Sequence, residues 1–518
     1  MARRPIRSLL FTSSVLLLSV SHAPGHEWPF GDKAKTQAFK GYDLYNLGLL
    51  GAKGRDPKVE LPDDSPMKEG KQSFNIQRTG GDEGPDELII EVLLADGPAA
   101  TAGLEIGDAI VGVKGRKFSD GALKPIADAL RKAEAGQGTI TLSVRKADGK
   151  TTRVEITIPT SGRDASKPEE GEARERSVTA GCAWLAERQQ PDGGFKETLS
   201  GSNGAVVQTA LAGLAWLGGG SDLTQGPHAE NVAKAVEFIV ATLPSMESAV
   251  PSSAGGPSWN QSNWGYAHAA IFLGELNHRT PSDEVTRCLL DCGRTLAERQ
   301  EGSGGWSHGP GGRNALGYLE LNIVSGLALC GIGLAQQAGL EVDEEVLDRA
   351  EAYLKLSSSG DGGVGYSGEN GKGGSGNIGR SAGAWLGFAN LGLGKKAWGK
   401  KMAGWVKKNA GAVLEGHASL MQHYLLAGVA AHALGGGARK DFWKTGQRDL
   451  VLARSPDGSF QPRPWHETLG MKSNSDVTFG EVWTTAAWTV ILACEPVKGG
   501  RPGLPAWFGR FADGKKKS

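Results

Sequence analysis

Four side chains able to move a proton or hold an anion interrupt otherwise apolar segments in the second half of this chain. They are Tyr266 and His268 in NWGYAHAAIFLGELNH, Arg380 in NIGRSAGAWLGFANLGLG, and His423 in HASLMQHYLLAGVAAHALGGG. An imidazole or a phenol can relay a proton, while a guanidinium or an amide can quiet a neighbouring carboxylate. Asn263, Glu320, Asn322, Glu481 and Trp483 interrupt equivalent segments and are read as lining the same cavity, with Trp259, His308, His417, Trp465, His466 and Asp476 on the adjoining loops. Catalysis would require Tyr266, His268, Arg380 and His423 to converge within about 10 Å at one mouth. The same residue types also satisfy the open hydrogen-bonding groups at helix ends in a buried bundle.

The elements that must position these groups are repetitive. RQQPDGGF (188–195) returns as RQEGSGGW (299–306), SSSGDGGVGY (357–366) and ARSPDGSF (453–460). With Gly194, Gly256, Gly305, Gly363, Gly416 and Gly458 as landmarks, the period is roughly fifty residues, enough for one helical hairpin. After each landmark comes an Ala/Gly/Leu-rich segment, apolar nearly all round, as a helix buried on every side must be. The preceding segments, such as DEEVLDRAEAYLKL, are charged on one side. Six buried helices inside six amphipathic ones predict an all-α (α/α)6-type toroid over residues 177–497.

The turn Gln-x-x-Asp-Gly-Gly-Phe/Trp resembles that of the terpenoid cyclase and protein prenyltransferase toroid superfamily, with QQPDGGF (189–195) the best match. The resemblance implies a fold and leaves the chemistry open. The Asp-x-Asp-Asp motif of protonating cyclases, their Asp-rich diphosphate motif, the Asp/Cys/His zinc set of prenyltransferases and the Gly-Cys-Gly-Glu-Gln thioester string are all missing from 177–497. His, Tyr, Asn and Arg with tryptophans also furnish the clefts of polysaccharide lyases and hydrolases on related helical barrels.

Ahead of the toroid, residues 39–160 read as a small β-rich domain. GPAATAGLEIGDAIVGVKG (97–115) resembles the PDZ pattern Pro-Ala-x-x-Ala-Gly-Leu-x-x-Gly-Asp-x-Ile-x-x-Val-x-Gly. The resemblance implies a loop whose N–H groups receive a peptide C-terminal carboxylate, the peptide adding as a strand beside a groove helix. Leu47, Gly48, Leu49 and Leu50 match that loop, and Leu123 to Ala135 match the helix. LPDDSPMKEGKQS (61–73) reads as an insertion, residues 161–176 as a linker, and 498–518 as a basic tail.

Fifty-seven basic residues balance 57 acidic ones, which argues against nucleic acid as a partner. Arg3, Arg4 and Arg7 precede an apolar run and a small-x-small site ending at Ala23, the pattern of a removed signal peptide (1–23). The chain is therefore expected to be secreted or held in the periplasm or cell envelope, with no membrane span after signal removal. Cys182, Cys288, Cys292, Cys330 and Cys494 fit no disulfide framework, and His417, His423 and His432 lack metal-ligand spacing, so buried thiols, no metal and no cofactor are expected. Two functions remain. The first is a non-catalytic binding or assembly protein, its PDZ capturing a peptide or protein terminus and its toroid accepting a small molecule or oligosaccharide. The second is an enzyme acting at the toroid mouth, lyase- or hydrolase-like or cyclase-like.

Overall fold

The computed structural model describes residues 44–58, 83–162, 167–196, 201–247, 261–310, 320–368, 375–415, 419–463, 475–494 and 504. The expected signal peptide, most of the basic tail, the 61–73 insertion and four of the loop candidates (Trp259, His417, Trp465, His466) lie outside the described residues.

The N-terminal domain is one antiparallel sheet in the order β1-β2-β3-β4-β6-β7, with β5 paired to β4. Its strands are β1 (Leu44–Asn46), β2 (Ala52–Arg55), β3 (Leu88–Leu93), β4 (Ala109–Val113), β5 (Arg116–Lys117), β6 (Thr139–Arg145) and β7 (Thr151–Thr157). Burial alternates residue by residue along β3, because successive side chains point to opposite faces. A short helix α1 (Pro98–Thr101) and the longer α2 (Leu123–Ala135) complete the domain, and α2 buries Leu123, Ile126, Ala127 and Leu130.

Twelve helices follow among the described residues. Six are outer: α3 (Gly171–Arg188), α5 (Ala229–Glu247), α7 (Asp283–Glu298), α9 (Glu344–Leu356), α11 (Ala397–Asn409) and α13 (Gly436–Ala453). Six are inner: α4 (Ser202–Gly218), α6 (Ser262–Arg279), α8 (Asn322–Gln337), α10 (Ile378–Asn390), α12 (Leu420–Leu434) and α14 (Ser475–Ala493). The inner helices pack in sequence, α4 on α6, α6 on α8, α8 on α10, α10 on α12 and α12 on α14, and α14 returns to α4. The ring is closed. In α4 every residue from Asn203 to Gly218 is buried, which explains its unbroken apolar composition.

The recurring turn explains how the hairpins are joined. In all four copies two backbone bonds close it, as Gly193 N–H to Gln190 O and Gln190 N–H to Gly194 O show in the first. A short side chain caps the second turn glycine or its equivalent: Asp192 Oδ1 takes the N–H of Gly194, and Asp457 Oδ1 that of Ser459. The first glycine adopts positive φ, 88° at Gly193 and 96° at Gly304. The second glycine serves another purpose. A Cβ on Gly194 would lie 2.4 Å from the Phe238 ring, one on Gly305 would lie 2.6 Å from Tyr353, and one on Gly363 would lie 2.5 Å from Trp405. Each turn therefore makes room for an aromatic side chain of the next outer helix. Gln189 and Gln300 reinforce the joint by donating across it to Asn231 O and Val346 O. The last turn docks on the first outer helix, where Trp184 Nε1 donates to Asp457 at 3.2 Å.

Candidate functional site

The inner helices begin at one mouth of the ring, and two arcs of functional groups lie at those helix starts, one on α6 and α14 and the other on α10 and α12. On the first arc, His268 of α6 is 1% exposed. Its Nδ1 lies 2.9 Å from the carbonyl of Trp264, which can only accept, so Nδ1 carries the proton and Nε2 the lone pair. Among the described residues, Nε2 has no hydrogen-bond partner. Burial drives the His268 pKa down to about 4, so the imidazole is neutral at pH 7.

Trp264 packs with His268 (centroids 6.3 Å apart) and with His308 (6.1 Å). Its indole N–H donates to His308 Nδ1 at 2.9 Å, which leaves the His308 proton on Nε2, and burial lowers the His308 pKa to about 4 as well. Trp483 of α14 meets the His268 ring edge-on at 6.4 Å and packs on Phe479. Trp264, His268, His308 and Trp483 thus pack into one aromatic wall.

Gly480 makes this wall possible. Its φ of 74° and ψ of −159° break α14, a conformation essentially confined to glycine. Gln208 Nε2 donates to the carbonyl of Phe479 at 3.0 Å beside the break. The short N-terminal piece of α14 bends toward α12, where Asp476 accepts from Ser419 Oγ, the Met421 N–H and Trp483 Nε1. Burial pushes the Asp476 carboxyl up, and these donors counter it. Asp476 caps the start of α12, which holds His423, and also pins Trp483.

The second arc is carried by α10 and α12. Arg380, in the first turn of α10, holds its guanidinium 4.8 Å from the centre of the Tyr366 ring, and burial drives its pKa down to about 10. The neighbouring Gly379 is glycine because a Cβ there would lie 2.4 Å from His423 Nδ1. His423 is thereby laid against the backbone beside Arg380.

Tyr266 points outward: its hydroxyl donates to Leu243 O of α5, and Arg299 sits over its ring at 4.6 Å. Two residues along a helix is about 200°, so Tyr266 and His268 occupy nearly opposite faces. Asn263 and Asn322 are joints between repeats. Each holds two carbonyls of the following turn, through side chain and backbone N–H: Ser307 O and His308 O for Asn263, Gly365 O and Tyr366 O for Asn322. Glu320 accepts from Ser303 Oγ in the turn before α8. Glu481 is half-buried at the resumption of α14.

Among the described residues, no three His, Cys, Asp or Glu side chains gather as metal ligands. The five cysteines are free thiols, four of them buried. A hydrogen bond with Cys288 and burial push the Cys292 thiol up.

The loop read from the sequence as a PDZ carboxylate site forms a single 3-10 turn, Gly48–Leu50, with Gly48 and Gly51 at positive φ. Leu47 and Leu50 are fully buried and Leu49 nearly so. They pack with Leu130 of α2 and with Val451 and Leu452 at the end of α13. Beside them, a cleft of about 60 Å³ is lined by Tyr45, Asn46, Tyr424, Asp449, Arg463 and Asp476, among others.

A family model described as "Domain of unknown function (DUF6288)" matches residues 178–494, more than half of the chain. The chain belongs to that family. A PDZ domain model matches residues 65–145. No curated protein matches the chain. Among solved structures, the unsaturated glucuronyl hydrolase of Bacillus sp. GL1 is similar over 65% of this chain and 99% of its own, at 14% identity and a TM-score of 0.44. The type II terpene cyclase MstE from Scytonema is similar over 62% of this chain and 97% of its own, at 15% identity and a TM-score of 0.34. A PDZ domain thus precedes a helical domain with structural neighbours of the α/α-toroid type.

Proposed function

We propose that the toroid mouth binds a small organic anion, anchored on Arg380 and bounded by the wall of Trp264, His268 and Trp483. The observation that carries this reading is the state of Arg380. Its guanidinium is half-buried with its carbon 4.8 Å from the Tyr366 ring centre, and burial lowers its pKa to about 10. A half-buried guanidinium with no counter-charge among the described residues is costly, and a bound carboxylate or phosphate relieves that cost with strong hydrogen bonds.

His268 favours an enzyme on the same site. Its tautomer is fixed by Trp264, and its buried Nε2 lone pair stays unprotonated down to about pH 4 and would accept from a ligand hydroxyl that reached it. A uronic oligosaccharide supplies both a carboxylate for Arg380 and hydroxyls for His268, whereas an isoprenyl diphosphate supplies the anion alone. The N-terminal arginines and apolar run support export of the protein.

Thermal shift with uronic oligosaccharides, their neutral counterparts and isoprenyl diphosphates tests the reading. A ligand at a hundred times its Kd stabilises by about 2.7 kcal/mol. An anionic ligand should raise Tm in the wild type but not in Arg380→Gln, and neutral sugars should do nothing. An unchanged shift in Arg380→Gln, or none with any anion, would overturn it. Product formation that disappears in His268→Gln while binding persists would establish turnover.

A further inference from the structure

Two features place the PDZ loop in use within the chain itself. First, β2, the strand that follows the loop, has β1 on one side and β3 on the other, so neither of its edges is open to an added strand. Second, the loop meets the end of α13. A Cβ on Gly48 would lie 2.5 Å from the carbonyl oxygen of Val451, and one on Gly51 would lie 3.3 Å from Pro456. The last turn of a helix presents carbonyls and the negative end of its dipole. That end covers the loop, whose Leu50 and Gly51 N–H groups bond within the loop to Leu47 O and Gly48 O.

The surrounding contacts are built for permanence. Val451 and Leu452 belong to the apolar core of the PDZ domain. Arg454 pairs with Glu134 at the end of α2, both nearly fully buried, while Ser161 donates to Glu134 and Arg454 donates to Ser177. Lys53 donates to Gln461 at 2.8 Å, Asn46 to Pro462 O at 3.0 Å, and Arg448 to Glu83 at 2.7 Å. Gln447 spans Arg131 of α2 and both oxygens of Glu169.

We infer that the end of its own helix α13 occupies the place where this loop would receive a peptide terminus, and that the PDZ domain serves as an internal clamp on the last hairpin of the toroid. The clamp reaches the mouth. Asn46 of β1 and Asp476 line the same cleft, and Asp476 sets the start of α12 and the position of Trp483. Holding α13 in place thus holds one side of the anion site.

The full chain tests this. The probe is a fluorescein-labelled hexapeptide pool with free C-terminal Val, Leu or Ile, read by polarisation, alongside hydrogen exchange of the Gly48–Gly51 amides. The wild type should bind the pool no more tightly than about 1 mM, while Leu452→Asp should bind it at least about tenfold better. The loop amides of the wild type should exchange as slowly as the toroid core. Tight binding by the wild type, or fast-exchanging loop amides, would overturn the inference. Should Leu452→Asp not fold, Arg454→Ala is read in the same two assays, and its loop amides should lose protection selectively. Unchanged protection there would also count against the clamp.

Discussion

Arg454, at the end of the toroid's last outer helix, pairs with Glu134, at the end of the only long helix described in the PDZ domain, and 8% and 3% of their side chains remain exposed. Removing one partner leaves the other as a buried, uncompensated charge. Arg454→Ala should therefore cost about 3–5 kcal/mol, whereas Arg454→Met combined with Glu134→Leu should cost far less. Urea unfolding of the single and double variants measures the difference.

Neutral buried histidines make stability depend on pH. The unfolded imidazole of His268 takes up a proton near pH 6.5, but the folded one only near 4. Between those values the unfolded state binds more protons, so the stability this histidine contributes is complete above about pH 6.5 and falls as pH drops toward 4. The loss should approach about 3 kcal/mol, and His308 adds a drop of the same sign. Acid titration of Tm should show a shallower decline in His268→Gln than in the wild type.

The two glycines of the first three turns should fail for different reasons. Gly194→Ala meets the Phe238 ring and should cost about 2–3 kcal/mol, with Phe238→Leu restoring part of it. Gly304→Ala combines positive φ with a 2.2 Å approach to Arg349 O, so trimming a side chain should not rescue it. A double-mutant cycle followed by thermal melting separates the two cases.

Gly480→Ala should straighten or strain α14 at a cost of about 1–3 kcal/mol. Because Asp476 and Trp483 flank the break, anion affinity at the mouth should fall together with stability. Tyr266→Phe, which removes only an outward hydrogen bond to Leu243 O, should cost about 1 kcal/mol and leave anion affinity unchanged. Isothermal titration calorimetry beside melting curves distinguishes the two outcomes.

The architecture was legible because its causes are local. Alternation along Leu88–Leu93, the Lys114-Gly115 turn, and the switch from amphipathic to wholly apolar helices each follow from a few consecutive residues. The site was less legible because facing the lumen depends on helix phase and on partners far along the chain. Tyr266 and His268 look alike in sequence, yet the 3.6-residue period turns one outward, a signal available beforehand. Asn263 and Asn322 resemble ligand-binding amides until the carbonyls of the next turn appear beside them. The role of Gly480 lay hidden in a segment with ordinary helical composition, and the covering of Gly48 by Val451 depends on a contact between distant parts of the chain that no local pattern announces.

The joint between Trp184 and Asp457 spans 273 residues, and that between Gln208 and Phe479 spans 271. An open solenoid can grow repeat by repeat, each unit stabilised by the one before it. A ring whose final clasp fastens onto its first helix must close its longest loop late, at the greatest entropic cost. During synthesis the early hairpins therefore wait, one flank uncovered, until α14 emerges.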